Sequence, residues 1–239
     1  GQGYCAIRLP DLTKESLAME PPRSAEDFLK KPLRCIEWEK MSMELWTGPV
    51  SSRSSALSSD AHSQLSRPVR PGEVIDYFIS HSWSDDCPEV KFRALESLAA
   101  DFHKSHGRYP TFWLDHCCIP DGEGGVDQLK MLPIHVMSCR RFLLLLGPTF
   151  PHRLWCAWEL FAIFAFSSQE QALKRIVLCP LEAENQDKLL ADLCHFDVLA
   201  ARCFDPNHEA RLLRIIRALG TDRFNQRIQH MAQQIRQQH

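Results

Sequence analysis

One acidic residue stands in an otherwise apolar stretch of the sequence. From Leu154 to Phe166, twelve of thirteen residues are apolar, and the exception is Glu159. A helix that is apolar on every side is buried, and a buried carboxylate is costly unless it is paired or functional. The pattern therefore predicts either a structural ion pair or a carboxylate placed for catalysis. The candidate ion-pair partners are Arg140, Arg141, Arg153 and Arg175.

Polar and aromatic residues follow three short apolar runs that we predict to be strands. They are Ser80-His81-Ser82-Trp83 after the first run, Asp115 after the second, and Gly147 to Phe150 after the third, ahead of the helix that opens near Trp155. Ligands of an open parallel sheet bind outside the carboxyl ends of its strands. We therefore expect a pocket there, with Glu159 close to it.

The cysteines and histidines do not form a recognisable site. His116-Cys117-Cys118 and Cys194-His195 lack the spacing of a zinc site, and a Cys/His dyad requires partners that meet in space. Gly122-Glu123-Gly124-Gly125 is neither a dinucleotide fingerprint nor a P-loop, and we interpret it as a surface loop. We expect no metal. Ten cysteines in 239 residues indicate reduced thiols in a cytoplasmic protein.

Composition narrows the class of protein. The chain is 44% hydrophobic and 24% charged, which is typical of a globular core with extensions. Its net charge of −2 argues against a general nucleic-acid binder. The apolar run Leu160–Phe166 falls far short of the roughly 20 residues of a membrane span. No basic-then-apolar leader follows Gly1, so we expect neither a membrane span nor a signal peptide.

Four segments differ in their residue patterns. Residues 1–46 are predicted to be helical, with a capping box at Ser24 and Asp27. Residues 47–72 are predicted to be a Ser/Pro-rich linker, residues 73–205 the central domain, and residues 206–239 a helical extension. In the extension, an apolar seam indicates packing on its own domain, with a partner helix or self-association as the alternative. The seam consists of Phe224, Ile228, Met231 and Ile235.

Strand and helix patterns alternate through residues 73–205, which predicts an α/β fold with a parallel sheet and helices on both faces. The predicted strands are Val74–Ser80, Thr111–Asp115, Arg141–Leu146, Arg175–Cys179 and Phe196–Leu199. Phe142–Leu146 is apolar throughout, as a central strand covered on both faces should be.

Four motifs in chain order resemble those of the Toll/interleukin-1 receptor (TIR) domain family. Asp76-Tyr77-Phe78-Ile79-Ser80 resembles the family's first strand, D-V-F-(I/L)-S, and Phe112-Trp113-Leu114-Asp115 resembles its second. Ser138-Cys139-Arg140-Arg141 with the strand after it resembles the third. Trp155-Cys156-Ala157-Trp158-Glu159-Leu160 closely resembles the W-C-x-x-E-L motif of helix C. The match covers roughly residues 73–205.

The resemblance implies a flavodoxin-like five-stranded parallel sheet and one of two functions in signal transduction, including innate immunity. Many TIR domains cleave NAD at the nicotinamide–ribose bond, and Glu159 matches their catalytic glutamate. Other TIR domains are non-catalytic adaptors that act through TIR–TIR self-association, and these often lack that glutamate. The resemblance thus favours a NAD glycohydrolase that oligomerises, with ADP-ribose or cyclic ADP-ribose as product. The alternatives are an adaptor that self-associates through loop 116–125, which resembles the family's BB loop, and a nucleotide sensor.

The resemblance also assigns roles to residues. Cleavage of an N-glycosidic bond passes through an oxocarbenium-like state, and the Glu159 carboxylate can stabilise its positive charge. No metal or further cofactor is needed, since NAD is the substrate. Trp83 or Trp155 offers a face for an aromatic ring. The pocket would be lined by Ser80, His81, Ser82, Trp83, Asp115 and Trp155.

Overall fold

The structure, a computed structural model, describes residues 32–46, 64–119, 125–203 and 205–238. Three expectations fall outside the described residues in whole or in part. They are the capping box at Ser24 and Asp27, residues 47–63 of the predicted linker, and residues 120–124 of the predicted glycine loop.

The described residues form a mixed sheet of six strands. The strands are β1 (Arg34–Glu37), β2 (Ser66–Pro68), β3 (Ile75–Ser80), β4 (Thr111–Trp113), β5 (Cys139–Leu146) and β6 (Ile176–Pro180). Their order across the sheet is β2-β1-β4-β3-β5-β6. The four strands β4, β3, β5 and β6 are parallel, whereas β1 runs antiparallel to both β2 and β4.

Helices connect the parallel strands and form the C-terminal part of the described chain. They are α1 (Pro88–His106), α2 (Asp115–Cys118), α3 (Gly125–Met137), α4 (Leu154–Ala165), α5 (Gln169–Arg175), α6 (Gln186–Cys194), α7 (Pro206–Leu219) and α8 (Thr221–Gln238). Short 3-10 turns lie at Trp38–Lys40, Met43–Trp46, Phe150–His152 and Ala183–Asn185. Within the described residues, no helix has both the length and the apolar composition that crossing a bilayer requires.

The central strand shows where the core lies. Every residue from Phe142 to Leu146 in β5 is 0% exposed. Because successive residues of a strand face opposite sides of the sheet, both faces of β5 are covered. Phe78 of β3 stacks between Phe142 and Trp113 of β4, which continues this core across the sheet. The predicted α/β fold is confirmed.

The prediction of a purely parallel, five-stranded sheet was wrong. Phe196–Leu199, expected to be the fifth strand, is a turn. Two of its backbone donors are taken by side chains, since Val198 N–H donates to Asn225 Oδ1 and Leu199 N–H to Asp197 Oδ1. The ring of Phe196 packs against Phe224 of α8. Phe196 and Val198 are thus buried beside α8, whereas Leu199 is exposed.

Two strands arise where none was predicted. β1 lies in residues 1–46, expected to be helical, and β2 lies in residues 47–72, expected to be linker. Each has only three or four residues, too few to show a periodic pattern. They form because β1 pairs with the side of β4 that β3 leaves open, with Ile36 opposite Phe112. Trp38 and Leu45, whose helical spacing contributed to the prediction of a helix, lie in the 3-10 turns that follow β1.

The C-terminal extension is helical, as predicted, and consists of α7 and α8. All four residues of the apolar seam of α8 are 2% exposed or less. Phe224 lies among aromatic rings, with Trp158 and Phe161 of α4 on one side. The bidentate ion pair of Arg236 with Asp187 joins α8 to α6. The seam therefore packs on its own chain.

Candidate functional site

Glu159 lies in the second turn of α4, with its carboxylate at the end of β3. It is 2% exposed. Ser80, the last residue of β3, donates its hydroxyl to Oε2 at 2.5 Å. Trp155 lies one turn earlier in α4 and donates its indole N–H to Oε1 at 2.9 Å. Three of the residues predicted for the site therefore meet at the carboxyl ends of the parallel strands.

Within the described residues, no arginine is paired with this carboxylate. Arg175 donates instead to the carbonyls of Val136 and Cys139, and Arg141 donates to the carbonyl of Lys174. Among the residues that the structure describes, Glu159 accepts hydrogen bonds only from the two neutral donors Ser80 and Trp155. The ion pair that the sequence left open as an alternative does not form there.

The surroundings of Glu159 favour its neutral form. Burial raises the pKa of Glu159 well above its ordinary value, and the negative charge of Asp115 raises it further. The hydrogen bonds from Ser80 and Trp155 oppose this rise because they favour the carboxylate. A buried carboxyl group poised in this way, without a counter-ion, is typical of functional sites.

The Ser80 hydrogen bond gives a testable effect on activity. We expect Ser80→Ala to raise the pKa of Glu159, because the variant lacks a donor to the ionised form. If the carboxylate is the active form, activity near neutral pH should fall roughly tenfold and recover as the pH rises. The pH dependence of a reaction that uses this carboxylate, measured from about pH 5 to about pH 9, checks this. An unshifted pH profile would contradict it.

Asp115 provides a second carboxylate with the opposite tendency. Burial alone would raise its pKa, but the hydrogen bonds and positive charge of His116 outweigh burial and hold the pKa at about 2. His116 N–H donates to Asp115 Oδ1 at 2.7 Å, and Trp83 Nε1 lies 3.4 Å from Oδ2. Pairs of carboxyl groups whose environments push their pKa values apart are a mark of acid–base sites.

His81 lies in a cluster of aromatic rings beside Ser80. It is 6% exposed, and its ring meets Trp46 and Trp83 edge to face, with centroids 5.1 Å and 4.3 Å away. Neither ring nitrogen has a hydrogen-bond partner in the described part of the chain. Burial and the charge of Lys91 lower the pKa of His81 to about 3, so the ring is neutral at physiological pH.

Trp46 is a contact of this site that sequence reasoning missed. It ends the 3-10 turn Met43–Trp46, outside residues 73–205, and it is 1% exposed. No motif distinguished it from the other tryptophans. The segment around β1 therefore contributes a wall to the aromatic cluster as well as a strand to the sheet.

Ser82 and Trp83 have different surroundings. The Ser82 hydroxyl lies 2.6 Å from the hydroxyl of Thr149, which joins the loop after β3 to the loop after β5. Trp83 is half-buried, and its ring meets His116 edge to face at 4.6 Å. Ser82 thus holds loops together, whereas Trp83 connects His81 to Asp115 and His116.

Lys91 is a second residue that sequence reasoning missed. It is 0% exposed, and its ammonium donates to the carbonyls of Ser82 and Asp85 at 2.8 Å and 2.6 Å. Burial lowers the pKa of Lys91. It lies one helical turn before the buried Leu95, and this spacing is the signal that could have placed it on the buried face of α1. It fixes the loop that carries Ser82.

The loop after β5 fits closely against the same region. Asp85 Oδ1 accepts from the backbone N–H and the hydroxyl of Thr149, at 2.8 Å and 2.7 Å. The rest of the carboxylate lies against the Cα atom of Gly147, where any Cβ would overlap it. Gly147 is required here because two loops approach closely.

Trp155 is in contact with the C-terminal extension. The ring of His208, in the first turn of α7, lies 5.6 Å from the Trp155 ring, and the two planes are 30° apart. Part of the surface that was expected to stack on a ligand ring therefore contacts this chain. His208 lies outside residues 73–205, and no sequence pattern marked it.

The arrangement can stabilise a positive charge next to a buried carboxylate. Among the described residues, no group of three or more His, Cys, Asp or Glu side chains is placed to hold a metal ion.

Searches of family models, curated proteins and solved structures found no match to this chain. The chemistry of the site therefore has to be argued from its own residues.

Proposed function

We propose that this chain is a TIR-like enzyme that hydrolyses NAD at the nicotinamide–ribose bond. The observation that carries the proposal is the Glu159 carboxylate, which is buried, has no counter-ion in the described part of the chain, and is held by Ser80 and Trp155. The sheet supports it. In chain order the four parallel strands read 2-1-3-4 across the sheet, which are the first four positions of the flavodoxin-like order 2-1-3-4-5, and the antiparallel β1 and β2 lie beside β4.

The reaction would separate nicotinamide from ADP-ribose. The C1′–N bond breaks, and its electron pair stays with the ring nitrogen, which becomes neutral. The ribose carbon becomes an oxocarbenium-like centre, water adds to it, and a proton is released. The leaving group carries a positive charge before cleavage, so little acid assistance is needed. Glu159 in its ionised form stabilises the developing cation.

The elevated pKa of Glu159 fits this role. The cationic nicotinamide ring of NAD would favour the ionised carboxylate on binding, because opposite charges attract strongly where water is excluded. The same attraction strengthens as the charge moves to the ribose. Asp115, held ionised by His116, adds to the negative potential that the substrate cation meets.

Each of the other predicted residues has a proposed part. Ser80 and Trp155 orient Glu159. Ser82 fixes the loops that border the site. Trp83, half-buried beside His81, offers the ring face on which the nicotinamide or adenine would stack. His81, neutral and flanked by Trp46 and Trp83, shapes that wall.

The direct test is nicotinamide release. Concentrated protein incubated with NAD should yield nicotinamide together with ADP-ribose or cyclic ADP-ribose, separated and quantified by chromatography. High concentration matters, because enzymes of the family that the chain resembles commonly require self-association. Protein that self-associates but leaves NAD intact would overturn the proposal and favour the non-catalytic adaptor. Calorimetry that detects NAD binding without turnover would instead favour a nucleotide sensor.

A further inference from the structure

Trp155 is held from two sides by different parts of the chain. Its indole N–H donates to Glu159 Oε1 at 2.9 Å. Its ring also meets the ring of His208, 5.6 Å away at an angle of 30°. The ring that orients the buried carboxylate is therefore itself packed by a residue of the C-terminal extension.

The chain that leads to His208 is tied to the start of α4. Arg202 N–H donates to the carbonyl of His152, and Leu154 N–H donates to the carbonyl of Arg202, both at 3.0 Å. These two bonds make a short parallel bridge between Arg153 and Arg202. The bridge residue Arg153 lies two residues before Trp155. These bonds thus fix the position of the chain ahead of the extension relative to the helix that carries Glu159.

The first turn of α7 fixes His208 itself. Asp205 caps the helix by accepting from Asn207 N–H at 2.8 Å, and its other oxygen lies 3.7 Å from His208 Nδ1. Glu209 accepts from Cys203 N–H at 2.8 Å, which binds this turn back to the segment before it. The contacts of this capped first turn therefore fix the position from which His208 packs against Trp155.

We infer that His208 is a positioning residue that holds the Trp155 ring in the orientation in which its N–H reaches Glu159. This inference rests on the proposed function for its effect on NAD cleavage, but its structural part does not. By packing the ring, His208 keeps the donor that favours ionised Glu159 in place. The C-terminal extension thereby sets how much of the carboxylate is ionised near neutral pH.

The opposite interpretation is that His208 blocks the face on which a ligand would stack. The contacts favour support over blocking. Trp155 makes its hydrogen bond to Glu159 while His208 is in contact with it, and the Arg153–Arg202 bridge holds the backbone ahead of Trp155 without fixing the ring itself. Blocking would make removal of the His208 ring activating, whereas support makes it damaging.

The test follows the indole N–H of Trp155 in the full chain. With ¹⁵N-labelled tryptophan, this resonance is assigned by its loss in Trp155→Phe. Since its N–H donates to Glu159, its shift should report the ionisation of Glu159. We expect His208→Ala to move the titration midpoint to higher pH, and His208→Phe, which keeps a flat ring, to restore the wild-type midpoint. Other titratable groups nearby are Asp115 and Cys156 near Glu159, Cys203 near the Trp155 backbone and Asp205 near His208. They stay unchanged in these variants.

Kinetics provide the second measurement. For His208→Ala we expect kcat near neutral pH to fall about threefold to tenfold with KM within about twofold, and to recover at higher pH. His195→Ala is the matched control, since the His195 ring is hydrogen-bonded to the Ala191 carbonyl of its own helix, and it should behave as wild type.

Three results would overturn the inference. They are a wild-type indole resonance that does not titrate, a midpoint unchanged in His208→Ala, and a kcat that rises in this variant. Absence of NAD cleavage by the wild type would instead refute the proposed function, and the indole titration would still decide the role of His208.

Discussion

Replacing Glu159 by glutamine should abolish NAD cleavage and stabilise the fold at the same time. Glutamine keeps the size of the side chain and can still bond Ser80 and Trp155, but it carries no charge for the oxocarbenium-like state. Loss of such electrostatic stabilisation costs about 10²- to 10³-fold in rate. Nicotinamide release by wild type and variant at equal concentration measures this. Equal turnover in the two proteins would remove Glu159 from the mechanism.

The gain in stability should depend on pH in a defined direction. Because the folded protein holds the pKa of Glu159 above its unfolded value, ionising this residue destabilises the fold, and the penalty grows as the pH rises from about 4.5 through the raised pKa. Glu159→Gln escapes this penalty. Its free energy of unfolding should match that of the wild type in acid and exceed it by an increasing margin as the pH rises into mild alkali. Urea unfolding at several pH values tests the trend.

A control for both effects is available on α5. Glu170 is exposed and pairs with Lys174 one turn away. Glu170→Gln makes the same chemical change at the surface, where solvent screens the ion pair, so it should leave both turnover and stability close to the wild-type values. A similar rise in stability for Glu170→Gln would mean that overall charge, rather than the burial of Glu159, is responsible.

Replacing Gly147 by alanine should destabilise the fold strongly. The added Cβ would overlap Asp85 Oδ2 and lie 2.5 Å from Asp85 Cγ. The carboxylate cannot move away freely, because Thr149 binds its other oxygen through two hydrogen bonds. Crowding of this kind costs about 1–3 kcal/mol, measured as the free energy of unfolding in urea. NAD cleavage should fall as well, since the same loop holds Ser82.

A double-mutant cycle isolates the cause. Asp85→Ala removes the carboxylate, so Gly147→Ala should cost much less in that background, where its closest remaining contact is Leu181 Cδ1 at 3.0 Å. Asp85→Asn keeps the size of the side chain, and Gly147→Ala should remain costly beside it. If the alanine costs the same in all three backgrounds, the glycine is needed for some reason other than its contact with Asp85.

The parallel part of the fold could be predicted because its signals are local. β5 contains five successive apolar residues, and α4 is apolar all round except at Glu159, so burial of both followed directly from composition. The meeting of Ser80, Trp155 and Glu159 followed from a general rule, that the carboxyl ends of parallel strands lie together. These predictions required no knowledge of contacts between distant segments.

The features that sequence reasoning missed depend on such contacts. β1 and β2 are strands only because they pair with each other and because β1 also pairs with β4. Three or four residues are too few to show a pattern that indicates a pairing partner. Phe196–Leu199 has the composition of a strand but packs against α8. Trp46 and His208 reach the site from segments on either side of the domain, where the resemblance offered no guide.

The pairing of β1 with β4 has a consequence for any shortened form of the protein. A fragment that begins at residue 73 would lack the backbone partners of Thr111 and Phe112 and the fully buried side chains of Cys35 and Ile36. The exposed edge of a sheet is a template for pairing with other chains. Such a fragment should aggregate through β4, and the intact chain avoids this by supplying its own cover.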